Sequence, residues 1–192
     1  MAHDLVAQGR KILADGLAEP PARLSRRHRL APLAADVDGD VAAVLFARRG
    51  TSGQPCFEVV LFEKRGTCWE SPGGSGGAAE DDILDDRRPS ASLGAALRWE
   101  GGGACRGLAP RPLAGLRLAR RGGHWLNHTL VRAAAETRHV RVRGAHGERT
   151  LHVPRHGQLI VVWRGSAAPS LTPWSEDGMS IGPEVSVTSG GW

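Results

Sequence analysis

The sequence predicts an α+β domain built on a central mixed β-sheet. Three observations carry that expectation. An amphipathic spacing opens the chain, two short apolar runs joined by turn-forming residues follow it, and a block of helix formers precedes a second half rich in extended segments. With 192 residues, 41% of them hydrophobic, the chain has material for one substantial core and too little for two full domains.

From Asp4 to about Glu19, apolar residues at Leu5, Val6, Ile12, Leu13 and Leu17 alternate with Gln8, Arg10, Lys11 and Asp15, which makes one apolar face on a helix that Asp4 can cap. Pro20-Pro21 stops it. Arg23, Arg26, Arg27, His28 and Arg29 then form a basic linker, so residues 1–35 read as helix plus connection. Residues 36–165 read as the domain proper. The turn signal Asp38-Gly39-Asp40 introduces a buried strand over Val41 to Phe46, and a second strand runs from Phe57 to Phe62 across a Gly/Ser/Thr/Pro-rich hairpin loop. Good helix formers from Ala91 to Glu100 predict a helix, ended by Gly101-Gly102-Gly103. Extended runs at His124 to Ala134, His139 to Arg143, Glu148 to Val153 and Gln158 to Trp163 predict a sheet-rich second half. The Ser/Gly/Pro-rich tail, 166–192, reads as irregular.

Charge and cysteine content narrow the function classes. The net charge is +5 and the pI about 10.0, carried almost wholly by arginine, with Lys11 and Lys64 the only lysines; phosphate-bearing ligands suit such a basic protein. Cys56, Cys68 and Cys105 are odd in number and never spaced CxxC, which argues against a disulfide framework or a structural zinc site. No run approaches the roughly 18 to 20 apolar residues of a membrane span, and no signal core is present, so the reading is cytoplasmic with no membrane partner.

The segment that carries chemistry is Val41-Ala-Ala-Val-Leu-Phe46, Val59-Val-Leu-Phe-Glu-Lys-Arg65, then Trp69-Glu-Ser-Pro-Gly-Gly74, five residues, and Glu80. Over about residues 41 to 80 it resembles the Nudix hydrolases in its two strands, the arginine ending the second, the Trp-Glu-x-Pro-Gly-Gly turn, and the glycine-to-glutamate opening of the Nudix box. The resemblance implies a Nudix-like α/β/α sandwich with a central mixed β-sheet. It also implies a ligand site bordered by Arg65, Trp69, Glu70, Gly73 and Gly74, with Glu80 as a metal ligand.

In that family a helix after Glu80 carries a glutamate pair that gathers Mg²⁺ on a diphosphate. Here the pair is missing. A gap-free count sets Arg88 at the box arginine, but Pro89 at the next glutamate and Ser92 and Leu93 at the pair. An insertion of about ten residues recovers a helix at Ala95 to Arg98, yet puts Trp99 at the glutamate and Gly102 and Gly103 at the pair. The expectation is therefore a degenerate box with no catalytic residue assigned and no certain cofactor, in a regulatory domain that binds a nucleotide-like ligand or a protein partner.

Two alternatives stand beside it. A divergent Nudix hydrolase cleaving a nucleoside diphosphate-linked substrate would draw Mg²⁺ to Glu70, Glu80 and an acid from Asp81, Asp82, Asp85, Asp86 or Glu100. A nucleic-acid-binding protein would use Arg23 to Arg29 and the Arg-rich strand at 138 to 143, given exposed aromatics on the same face. Two smaller signals complete the inventory. His124 and His128, four apart, are a conceivable zinc pair without an evident third ligand, and Cys68 beside Trp69 is a thiol without a recognisable base.

Overall fold

Val41 to Ala47 is apolar at every position, and such a run is stable as a strand only where both of its faces are covered. In the computed structural model, which describes residues 4–21, 23–79, 83–108 and 124–187, it is the second strand of an antiparallel sheet with order β1-β2-β3-β4. These strands are β1 (Leu30–Asp38), β2 (Val41–Arg49), β3 (Pro55–Arg65) and β4 (Cys68–Ala78). Alternate residues of β2 point to opposite sides. Val41, Ala43, Leu45 and Ala47 enter one core with Val59 and Leu61 of β3, while Ala42, Val44 and Phe46 enter another with Val60 and Phe62.

The second of these cores is closed by α1 (Leu5–Asp15), through Leu5, Val6, Ile12 and Leu13. Asp4 caps the helix by accepting from the Ala7 N–H at 3.0 Å, and Gly16, at φ 93°, ends it well before Pro20. Gly9 lies flat on Phe62: a Cβ there would stand 2.5 Å from the Phe62 Cζ.

The first core is closed by a three-stranded antiparallel sheet, β5-β6-β9, of β5 (Leu97–Arg106), β6 (Trp125–Ala133) and β9 (Gln158–Arg164). Leu126, Leu130, Ile160 and Val162 face the first sheet. The opposite face, with Leu97, Val131, Leu159, Val161 and Trp163, packs on a third sheet, β11-β10-β7-β8. That sheet contains β7 (His139–Gly144), β8 (Gly147–His152), β10 (Ser170–Trp174) and the short β11 (Val185–Ser186). Among the described residues, α1 and the three sheets thus form a stack, with the middle sheet buried on both faces.

This corrects the expected α/β/α sandwich with a mixed sheet. Every strand pairing is antiparallel, and 52% of the described residues are strand against 9% helix. The helix expected over 91 to 100 is also absent. A single turn, α2 (Ser90–Leu93), stops at left-handed Gly94, and Leu97 onward is β5. Helix propensity in this stretch is a weak preference that pairing with β6 overrides. As a strand, residues 97 to 106 bury Leu97 and let Gly102 and Gly103 lie against β6, where a Cβ would stand 2.8 Å from the His128 carbonyl oxygen and 2.9 Å from its Cε1.

Two further differences lie at the ends. β1 begins at Leu30, within the stretch read as linker, and the tail supplies β10, which pairs with β7 along its whole length. A buried charge cluster locks the three sheets together. Asp36 on β1 accepts from Arg149 on β8 at 2.8 and 2.6 Å and from the Val162 N–H of β9 at 2.8 Å. Burial depresses the Arg149 pKa, but hydrogen bonding to Asp36 and the charges of Asp36 and Asp38 outweigh it and hold the guanidinium above its ordinary value.

Candidate functional site

Asp36 closes the stack where β1 meets β9. On the opposite side the first two sheets end in β4 and β5, both interrupted by glycine: Gly73, Gly74, Gly76 and Gly77 on one, Gly101, Gly102 and Gly103 on the other. Missing side chains leave space between sheets.

A cleft of about 410 Å³ opens there. Leu45, Phe57, Ile83 and Leu130 give it apolar walls, Ala78 and Ala79 form its β4 side, and Arg98, Glu100 and Gln158 supply its polar groups. Three consecutive residues, Arg98, Trp99 and Glu100, line it, which regular strand alternation forbids. The register slip between Trp99 and Gly101 explains this: it inserts Glu100 as a bulge that turns the strand at the cleft. Arg98 Nη2 donates to Glu100 Oε1 at 2.9 Å, and Trp99 stands 58% exposed beside the pair.

Of the residues expected to bind ligand, Arg65, Trp69, Glu70, Gly73 and Gly74 all lie along the β3–β4 hairpin, and none lines this cleft. Trp69 packs toward α1, has Lys64 Nζ 5.6 Å from its ring centroid, and its carbonyl accepts from Arg10 Nε at 2.7 Å. Arg65 Nε lies 3.9 Å from Glu70 Oε2. Gly74 is obligatory, since a Cβ would fall 2.0 Å from the Val59 carbonyl oxygen. Glu80, the expected metal ligand, lies outside the described residues together with Asp81 and Asp82; the described residues flanking that segment, Ala79 and Ile83, both line the cleft.

The histidine pair separates. His124 Nε2 lies 2.8 Å from Glu63 Oε1, a carboxylate that also takes Arg164 at 2.9 Å and the Leu108 N–H at 2.8 Å. His128, 1% exposed, instead has Nε2 3.0 Å from Ser75 Oγ of β4. Burial lowers the His128 pKa to about 4, so the ring is neutral at physiological pH. Among the described residues no group of three His, Cys, Asp or Glu side chains is placed to hold a metal ion.

All three cysteines are free, and burial, followed by the charge of Glu63, raises the Cys105 thiol and keeps it protonated. Cys68 is exposed, with Thr67 Oγ1 3.9 Å from its sulfur. On the Arg-rich β7, Arg141 and Arg143 both pair with Glu148, at 3.2 and 3.3 Å, and Arg141 caps the Trp174 ring at 4.0 Å. Among the described residues the exposed tryptophans are Trp99 and Trp125, on β5 and β6. No described helix is long and apolar enough to cross a membrane.

Sequence reasoning missed the cleft because Trp99 and Arg98 were placed on a helix. The signal that could have found it is the Trp-Glu-Gly-Gly-Gly run at 99 to 103, which suits a strand that bulges and then lies close against a neighbour. Comparison of the chain with protein-family models, with curated proteins and with solved structures finds no match in any of the three. The resemblance to Nudix hydrolases therefore rests on the segment 41 to 80.

Proposed function

We propose that this domain binds a nucleotide-like small molecule, holding its base in the cleft between the first two sheets, without the standard magnesium-dependent hydrolytic centre. The observation that carries the reading is the Arg98–Glu100 pair beside exposed Trp99. A nucleobase edge carries donors and acceptors together, and this pair presents the complementary set, while Trp99 and Phe57 offer aromatic surface. The cleft volume of about 410 Å³ suits a ligand of nucleoside size. The loss of the box helix supports the second half of the proposal. Ser92 and Leu93 fall in a single helical turn and Gly102 and Gly103 in a strand, so neither register offers carboxylates on successive helical turns.

The test is a thermal-shift and calorimetric series with nucleosides and nucleotides, with and without Mg²⁺, on the native chain and on Trp99→Ala. A ligand at 100 times its Kd stabilises the folded state by about 2.7 kcal/mol, a readily measured shift. The expected result is base-dependent, Mg²⁺-independent binding that Trp99→Ala weakens at least about tenfold. Binding that requires Mg²⁺ and is accompanied by diphosphate cleavage would favour the divergent hydrolase instead.

A further inference from the structure

Residues 73 to 77 contain four glycines and one side chain, that of Ser75. That side chain is exposed on the free edge of the first sheet, yet its Oγ lies 3.0 Å from Nε2 of a histidine that is almost wholly buried. We propose that Ser75 and His128 form a nucleophile–base pair that accepts an acyl group from uncharged esters, a metal-free activity separate from ligand binding in the cleft.

The geometry has the parts such a reaction needs. A serine hydroxyl is activated by a base within hydrogen-bond reach, and 3.0 Å is within it. The base must be neutral to take the proton, and His128, desolvated between the sheets, is neutral and accepts at Nε2 in its Nδ1–H tautomer; the same desolvation makes it a weak base. Its ring is held from behind by Gly103, where a Cβ would stand 2.9 Å from the His128 Cε1, so no larger residue leaves the imidazole this position. The glycines flanking Ser75 carry no side chain to obstruct it. Among the described residues β4 ends the sheet order, so the N–H groups of this run that point away from the β3 ladder have no strand partner there and suit a developing oxyanion.

A neutral ester carbonyl is the substrate class such a pair suits, because attack on it needs a nucleophile, a base and an oxyanion donor and no clamp of cations. In the forward step the Ser75 Oγ bonds to the carbonyl carbon and its proton passes to His128 Nε2. The bond to the alkoxy leaving group then breaks, and that group leaves as the alcohol with the proton from His128. Water attacks the acyl-Ser75 ester, again through His128, and releases the carboxylic acid. The His128 Nδ1 is buried with no hydrogen-bond partner among the described residues, so no carboxylate steadies the imidazolium and turnover should be slow.

The experiment treats the native chain with an alkyl fluorophosphonate, in which Ser75 Oγ displaces fluoride at phosphorus, and maps the adduct by peptide mass spectrometry. Hydrolysis of short-chain p-nitrophenyl esters is followed in parallel. The expected result is one adduct, on Ser75, with both reactions abolished in Ser75→Ala and unchanged in Ser71→Ala. His128→Gln, checked for folding by circular dichroism, should slow labelling at least about 100-fold, the usual contribution of a general base. Absence of an adduct, an adduct spread over several serines, or ester hydrolysis that survives Ser75→Ala overturns the proposal, whether or not His128→Gln folds. Nucleotide binding in Ser75→Ala should match that of the native chain, so the two readings fail independently.

Discussion

Acidification from about pH 7 to about pH 5 should remove a large part of this protein's stability, and two buried imidazoles set the amount. His128 and His156 are 1% and 2% exposed, and each has its pKa lowered from 6.5 to about 4. For His128 the cause is burial. For His156 burial comes first, followed by the positive charges of Arg132 and Arg155. Between the two values the unfolded chain binds protons that the folded chain does not, so stability is complete above about 6.5 and falls as the pH drops toward 4. One pKa unit is worth about 1.4 kcal/mol, which makes the full effect about 3 kcal/mol for each ring and the part lost by pH 5 about 2 kcal/mol each. The sum, about 4 kcal/mol, compares with a typical total stability of roughly 5–15 kcal/mol.

The assay is urea unfolding at several pH values and constant ionic strength, with His156→Gln as the comparison chain, in which about half the slope should vanish. A free energy of unfolding that stays level between pH 7 and pH 5, or histidine NMR resonances for residues 128 and 156 that titrate near 6.5, would refute the reasoning.

Three other perturbations bear on the fold and cleft. Asp36→Ala leaves the Val162 N–H unpaired and the Arg149 guanidinium with only Asp38, at 3.2 Å, and the Val162 carbonyl, at 2.9 Å, and should cost about 1–3 kcal/mol in chemical denaturation, the usual result of leaving a buried donor unsatisfied. Gly9→Ala raises helix propensity by about 1 kcal/mol but drives a methyl to 2.5 Å from Phe62 Cζ, so the net effect should be a lower Tm; a higher Tm would show that α1 does not sit tightly on the sheet. Trp99→Ala should leave urea stability within about 0.5 kcal/mol of the native value, because its side chain is largely exposed, so any loss of ligand binding is a loss of contact and not of fold.

Much of the β-structure was legible for a simple reason. Runs such as Val41 to Ala47 and Leu159 to Trp163 are continuously apolar and bounded by turn residues, and the interior of a stack of sheets asks for that pattern. The helix at 91 to 100 was misread because Ala, Leu and Arg favour helices locally, whereas the deciding contacts are non-local: Leu97 against Ala133 and Gly103 against His128. β10 was invisible for a related reason. Ser-Leu-Thr-Pro-Trp buries only Leu171 and Pro173, and Pro173 reads as a breaker until the sheet accommodates it.

The candidate site was harder still, because its defining feature is what the side chains leave out. Glycine runs at 73 to 77 and 101 to 103 read in sequence as a turn and a helix stop. In the fold they lie on β4 and β5, where Gly74, Gly76 and Gly77 sit against β3 and Gly103 makes room for the His128 imidazole, with the cleft opening two residues further along β6, at Leu130. A strand rises about 3.3 Å per residue, so Ser75–His128 and the cleft lie within about 10 Å along the same gap between sheets. Filling that gap should therefore affect both. Gly103→Ala, with its methyl directed at the His128 ring, should slow Ser75 labelling strongly and weaken cleft binding only slightly, because the cleft is lined from Ala78 and Leu130 outward. Equal loss of both would mean that the two sheets move as one unit, and that the gap, more than either set of side chains, is the functional element.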